Sequence, residues 1–230
     1  MIKFDSKLAT TILRKTFNIA IILSLLFFTI LMVLISIPYF QLETNVAFLR
    51  IKQWVFRDYP GTLSNIWILA FFIHVFTSVF ALIAGFTQFS RHFLWTKVHR
   101  KMGMFYVIVV LCLSAPTGFI MGIWANGGII SVIAFCLLSV LWWYFTYRAF
   151  VLAKNHSFEA HAKFMYRSYA LALSAITLRL WKYVIVNYIY EMPPMDLYRL
   201  VGWLGWVPNL LVAEWLIWKG SHLKLLRKKT

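Results

Sequence analysis

The sequence predicts an all-α fold: a polytopic membrane bundle of six transmembrane helices with both termini in the cytoplasm. Of its 230 residues, 62% are hydrophobic and 13% are charged, whereas soluble domains are about 45–50% apolar and about 25% charged. Apolar stretches long enough to cross a bilayer occur at residues 17–38, 66–87, 102–122, 129–149, 164–186 and 199–218. None alternates as barrel strands do, so all are expected to be helices within one integral domain, 1–230.

Lysine and arginine divide unevenly between the two sides of this bundle. The N-terminus carries four, the loop after span two four, the connection after span four three and the C-terminal tail five, against four on the opposite side. Cytoplasmic loops are enriched in these residues, which places both termini in the cytoplasm. The net charge of +16 then reflects orientation and contact with anionic lipids, and no basic soluble module suggests nucleic-acid binding.

Small and polar side chains form a stripe at helical spacing on spans two, three and five. Because such residues turn toward neighbouring helices, these three spans are expected to face one another. His99 and His161 begin two of the stripes at the cytoplasmic edge, and Gln88 and His92 end the third. His74 lies deeper, with no second histidine at its level, and a mid-membrane histidine indicates a functional group. The alternative is a histidine satisfied by a neighbouring Ser or Thr.

Charged side chains within spans five and six need partners, because an isolated charge in a bilayer is costly. Arg167 and Glu214 are both predicted in the cytoplasmic half, where they would pair. Arg179 lies deeper, on the same face as His161 and near the depth of His74. We therefore expect Arg179 to bind an anion or to pair with a polar core.

Two segments carry a family resemblance. The pattern G-x-x-Q-F…H-R-x-x-G-x-x-Y occurs in "GFTQFSRHFLWTKVHRKMGMFY", and H…M-x-R-S-Y-A…R-L in "HAKFMYRSYALALSAITLRL". Together, over about residues 66–185, they resemble a bacterial family of predicted membrane proteins catalogued as domain of unknown function 2306. Ala162 and Phe164 depart from the pattern, which has Arg and Trp there. The resemblance implies a polytopic protein of the bacterial inner (plasma) membrane, and it singles out Gln88, His99, Arg100, His161, Arg167 and Arg179.

Three hypotheses for function remain open, and so does the question of enzymatic activity. The first is a redox or electron-transfer component that binds b-type haem or quinone. His99 and His161 would ligate the haem, Arg100 and Arg167 would balance its propionates, and a quinone would bind near His74 and Arg179. The second is a membrane hydrolase with a metal held by His99 and His161, joined by His156 and Glu159. The third is a transporter or an accessory or assembly subunit of a membrane complex.

Overall fold

The computed structural model describes residues 16, 23, 26–41, 49, 52–58, 61–89, 94 and 96–226, and within them it contains helices and no strand. In chain order, the described helices are α1 (Leu26–Tyr39), α2 (Gln53–Asp58), α3 (Thr62–Gln88), α4 (Lys97–Ile123), α5 (Ile129–Lys154), α6 (Phe158–Ala172), α7 (Ser174–Ile189), α8 (Pro194–Leu204), α9 (Val207–Trp218) and α10 (Ser221–Leu226).

Among the described residues, four helical stretches are long and apolar enough to cross a membrane: α3, α4, α5 and the continuous pair α8–α9. The bent pair α6–α7 would make a fifth. The described helix of the first predicted span is α1, which is shorter than a full crossing, and residues 17–22, 24 and 25 lie outside the described residues. The all-helical, membrane-spanning fold is thus confirmed, while the count of six stays a prediction.

The helices reach beyond the apolar stretches at the predicted cytoplasmic end. α4 begins at Lys97 instead of 102, α5 ends at Lys154 instead of 149, and α6 begins at Phe158 instead of 164. An apolar window marks only the hydrocarbon core, whereas the backbone stays helical into the polar headgroup layer. These extensions place three polar helix ends side by side above the membrane core.

The predicted span at 164–186 is bent by 44° between α6 and α7. No Pro or Gly lies at the break, so side chains must account for it. Asn209 of α9 donates to the carbonyl of Ala170 at 3.1 Å, and the hydroxyl of Thr177 donates back to the carbonyl of Leu173 at 3.1 Å. Both contacts compete with the helical hydrogen-bond ladder, and a Thr that bonds four residues back bends helices.

A wider π-helical turn interrupts α4 at Val109–Ser114. Pro116 follows this turn and has no backbone N–H, so a regular α-helical ladder cannot continue through it. The indole of Trp143 on α5 donates to the carbonyl of Leu111 within the turn at 3.2 Å. The turn also contains Ser114, whose carbonyl accepts a hydrogen bond from His74.

Buried polar contacts join α3, α4 and α6, as the three polar stripes predicted. The hydroxyls of Tyr106 and Ser168 are 2.7 Å apart and link α4 to α6. Tyr169 donates to the carbonyl of Leu82 at 3.1 Å and links α6 to α3. Helix α5 completes this core through Trp142, which donates to the Tyr106 oxygen at 3.1 Å.

Candidate functional site

A cavity of about 610 Å³ lies where α4, α5 and α6 meet at the predicted cytoplasmic end. This volume is within the range of about 300–1,000 Å³ that is typical of small-molecule sites. Its walls combine apolar side chains with a few polar and cationic ones. The polar and cationic members are Gln88, Thr96, His99, Arg100, Lys154, His156 and His161. Four residues that the sequence singled out, Gln88, His99, Arg100 and His161, therefore line one cavity.

His161 has its ring orientation and tautomer set by one hydrogen bond. Its Nδ1 lies 2.8 Å from the carbonyl oxygen of Ala149, one turn before the end of α5. A carbonyl oxygen only accepts, so Nδ1 carries the proton and the neutral ring keeps its lone pair on Nε2. Histidines that ligate metals are held in this way, by a hydrogen bond from the ring nitrogen that does not bind the metal.

His99 lies in the first turn of α4 and lines the same cavity. Its Nδ1 is buried and has no hydrogen-bond partner among the described residues. A buried polar atom without a partner costs free energy, and at a cavity wall a ligand can satisfy it. The two histidines thus differ, since His161 is already oriented and His99 still has an unmet bonding site.

Gln88 stands at the end of α3 and ties it to the start of α4. Its amide nitrogen donates to the Thr87 hydroxyl at 2.9 Å and to the carbonyl of His99 at 3.3 Å. Gly103 leaves room for it, because a Cβ there would lie 2.9 Å from the Gln88 Oε1 atom. Gln88 therefore supports the turn that carries His99.

The connection between α5 and α6 contributes His156, whose backbone has a positive φ of 56°. Residues other than glycine rarely adopt this left-handed conformation. Such conformations cluster at functional sites because the surrounding structure has to maintain them. His156 thereby turns the chain sharply at the rim and lets α5 and α6 bring Lys154 and His161 to one cavity.

Arg167 pairs with a residue of α9 instead of lining the cavity. It forms a two-pronged ion pair with Glu214 of α9, through Nε–Oε1 and through Nη2–Oε2 at 2.8 Å. Its guanidinium also lies 5.1 Å from the ring centre of Phe164. The predicted pairing is confirmed. Arg167 does not line the cavity, and the lysine and arginine side chains that do line it are Arg100 and Lys154.

His74 and Arg179 also lie outside the cavity. His74 Nδ1 is 2.8 Å from the carbonyl oxygen of Ser114, and the Ser114 hydroxyl donates to Thr77 at 2.9 Å. The imidazole thus has a hydrogen-bond partner between α3 and α4, as in the alternative interpretation of the sequence, a histidine satisfied by a neighbouring residue. Arg179 donates to the carbonyl of Ala175 at 2.7 Å and is close enough to His74 for an electrostatic interaction.

The hydrolase hypothesis requires a cluster of donor side chains. Across the part of the chain that the structure describes, no three His, Cys, Asp or Glu residues converge in a way that could hold a metal ion. His99, His156 and His161 share a cavity without forming such a cluster. His92, which continues the stripe of span two, lies outside the described residues.

Sequence reasoning missed one buried cation, which was counted as an ordinary loop residue. Lys52 is 1% exposed and donates to the carbonyl of Trp124. Its ammonium lies 5.4 Å and 5.6 Å from the ring centres of Trp54 and Trp67. Burial lowers the pKa of Lys52 to about 8. Nothing in the sequence around it marks a buried lysine, because the partners come from α2, α3 and the end of α4.

The model of a family described as "Predicted membrane protein (DUF2306)" matches residues 71–217. No curated protein and no solved structure matches the chain. The matched range runs from α3 through α9 and contains His99, Arg100 and His161 of the cavity. Since the match covers more than half of the chain, the protein belongs to the DUF2306 family of predicted membrane proteins.

Proposed function

We propose that the protein is an electron-transfer component of the membrane that binds one b-type haem in the cavity between α4, α5 and α6. The observation that carries this proposal is the presence of two histidines, His99 and His161, on the walls of one cavity. Paired histidines from different helices of a membrane bundle are suitable axial ligands for haem. His161 would bind through Nε2, since Nδ1 is bonded to Ala149.

The rest of the cavity suits the same group. Apolar walls that include Val107, Phe150 and Phe158 suit the porphyrin faces. Arg100 and Lys154 supply two cations that would pair with the propionates. Bound haem supplies one-electron chemistry. The chain supplies the ligands, their orientation, and an apolar environment that tunes the reduction potential.

The proposal includes the placement of the protein. Six spans with cytoplasmic termini in the bacterial inner membrane would put the cavity at the cytoplasmic side, where anionic headgroups meet the basic loops. A site there is accessible to a soluble electron donor or to another membrane subunit. Support comes from the distribution of Lys and Arg in the sequence and from the family.

A visible spectrum of the purified protein tests the proposal. The protein is produced with haem available, purified in detergent, and measured reduced minus oxidised. We expect a b-type Soret band in the wild type, which is lost in His99→Ala and His161→Ala. External imidazole should restore part of the band in each variant, because it replaces the missing ligand.

His74→Ala is the matched control, since it removes a histidine outside the cavity, and its spectrum should be that of the wild type. A protein that stays colourless after incubation with haem would refute the proposal. So would a band that survives in both cavity variants, because haem would then be bound elsewhere.

A further inference from the structure

The cavity has one wall that comes from the C-terminal segment. Leu225 and Leu226 of α10 line it together with α4, α5 and α6. Helix α10 begins beyond residue 217, the last position matched by the family model. This wall is therefore separate from the family core, and it is attached to that core through a single turn.

That turn is built to redirect the chain. Gly220, between α9 and α10, has a φ of +68°, a conformation that glycine adopts without strain. Beyond this turn, α10 packs against α6 and forms part of the cavity wall. A short helix after a glycine turn can swing away as a unit without disturbing α9.

The contact between α10 and α6 buries a histidine whose hydrogen-bonding groups are not satisfied. His222 is 3% exposed, and neither of its ring nitrogens has a hydrogen-bond partner among the described residues. Its nearest carboxylate is that of Glu159, with Nε2 and Oε1 3.7 Å apart, and Glu159 also pairs with Lys163 at 2.6 Å. Burying an imidazole without a hydrogen bond opposes docking, whereas burying two leucines favours it. A balance of this kind suits an element that opens and closes.

We propose that α10 is a lid on the cytoplasmic cavity, closed by Leu225 and Leu226 and hinged at Gly220, which controls the entry of ligand. The identity of the ligand as haem rests on the proposed function, whereas the lid itself does not. In the closed state the two leucines cover part of the opening of the cavity. In the open state His222 regains hydration.

Thiol labelling tests the lid without any cofactor. Cys112 and Cys136 are replaced by Ala, and Ala162, a buried residue of the cavity wall, is changed to Cys as the reporter. A bulky, polar maleimide is applied to the haem-free protein in detergent. We expect labelling to be about tenfold faster when the chain ends at Gly220, because labelling requires an open cavity. Leu225→Ser combined with Leu226→Ser should raise the labelling rate, because burial of the two leucines favours docking of α10. His222→Ala should lower the rate, because the buried imidazole without a hydrogen bond opposes docking.

Two matched controls isolate the lid. Leu223→Ser changes an exposed leucine of the same helix that does not line the cavity, and it should leave the rate unchanged. Ser157→Cys is an exposed reporter beside α6, whose rate should not respond to any change in α10. If the shortened chain does not fold, the substitutions in the full chain decide the question.

Equal labelling of Cys at 162 with and without α10 would overturn the lid. An equal acceleration by Leu223→Ser would do so as well, since the effect would then be general loosening. A colourless protein whose labelling still depends on α10 would instead refute only the haem proposal.

Discussion

Gly85 lies where a hydrogen atom fits against the neighbouring helix and a Cβ does not. A Cβ at this position would lie 2.1 Å from Cε2 of Tyr169. The Tyr169 ring cannot easily move, because its hydroxyl is bonded to Leu82 and its ring packs against Phe86 and Phe89. We expect Gly85→Ala to lower the free energy of unfolding by about 1–3 kcal/mol, the usual cost of overpacking. Thermal unfolding in detergent measures it.

Gly202 of α8 provides the control for this prediction. A Cβ there would have its nearest neighbour, the Phe135 ring, at 3.5 Å, which is an ordinary contact. Gly202→Ala should therefore leave stability unchanged or raise it slightly, since alanine favours helix. Equal destabilisation by the two substitutions would show that the Tyr169 contact is not what constrains Gly85.

Lys52 gives stability a dependence on pH whose sign follows from its burial. Burial lowers its pKa from 10.5 to about 8. Between these two values the unfolded chain binds one proton more than the folded protein, so stability rises with pH. Below pH 8 both states are charged, and the full cost of burying the ammonium is present. We expect the melting temperature to rise between pH 8 and 10 through this residue.

Lys52→Met isolates that contribution, because it removes the titrating group and keeps an unbranched side chain. The difference in melting temperature between wild type and variant should shift in favour of the wild type as the pH rises from 7 to 10. Lys101→Met, at an exposed lysine of α4, should show no such trend. A constant difference for Lys52→Met would contradict the assigned shift in pKa.

The roles of single residues could be predicted from the sequence only in part. Polar periodicity grouped Gln88, His99 and His161 correctly because helical spacing fixes which residues share a face. The haem hypothesis assigned Arg167 to a propionate, whereas the alternative prediction from the sequence, its pairing with Glu214, is the one that the structure shows. The burial of Lys52 could not be predicted, since it depends on Trp67 and Trp124, which belong to other segments of the chain.

At the scale of the helices, the bend between α6 and α7 depends on Asn209. Its amide nitrogen donates to the carbonyls of Ala170 at 3.1 Å and Gly205 at 3.2 Å, and to the Thr177 hydroxyl at 2.9 Å. Asn209→Leu removes all three bonds and leaves the Ala170 carbonyl without this donor. We expect a loss of about 1–3 kcal/mol in unfolding free energy, the cost of an unsatisfied buried group. Chemical or thermal unfolding in detergent measures this loss.

Asn187 offers a comparison in the same bent pair. It is exposed and donates only to the carbonyl of Tyr183 in its own helix at 2.8 Å. Asn187→Leu should change stability by less than about 0.5 kcal/mol, as is usual for surface positions. If Asn209→Leu proves equally mild, the bend must be maintained by packing instead of by these hydrogen bonds.

Hydropathy predicts where these helices lie in the sequence, but it does not predict where they bend or widen. The π-helical turn of α4 has a visible cause in Pro116, yet no Pro or Gly marks the bend at Leu173. Its cause is an asparagine on α9 and a threonine that bonds back to its own helix. Features set by a single proline are local, whereas features set by a partner helix appear only when the helices are assembled.

For the whole molecule, the two ends of the bundle differ in chemistry. The cavity and its cations lie at the end where the loops are rich in Lys and Arg, and the buried Lys52 lies at the other. The positive-inside rule assigns the first end to the cytoplasm. In this orientation the proposed electron-transfer site would face the cytoplasm, whereas the lid requires only that α10 and the cavity lie at the same end of the bundle.

Reporter fusions test this orientation. We expect a green fluorescent protein fused after Thr230 to fluoresce and an alkaline phosphatase at the same position to be inactive, since the phosphatase needs disulfides that form outside the cytoplasm. A phosphatase fused after Glu191, in the exposed link between α7 and α8, should be active because the link lies on the opposite side. The reverse pattern would place the cavity outside the cytoplasm. Active phosphatase at both positions would mean that α8 and α9 do not cross the membrane together.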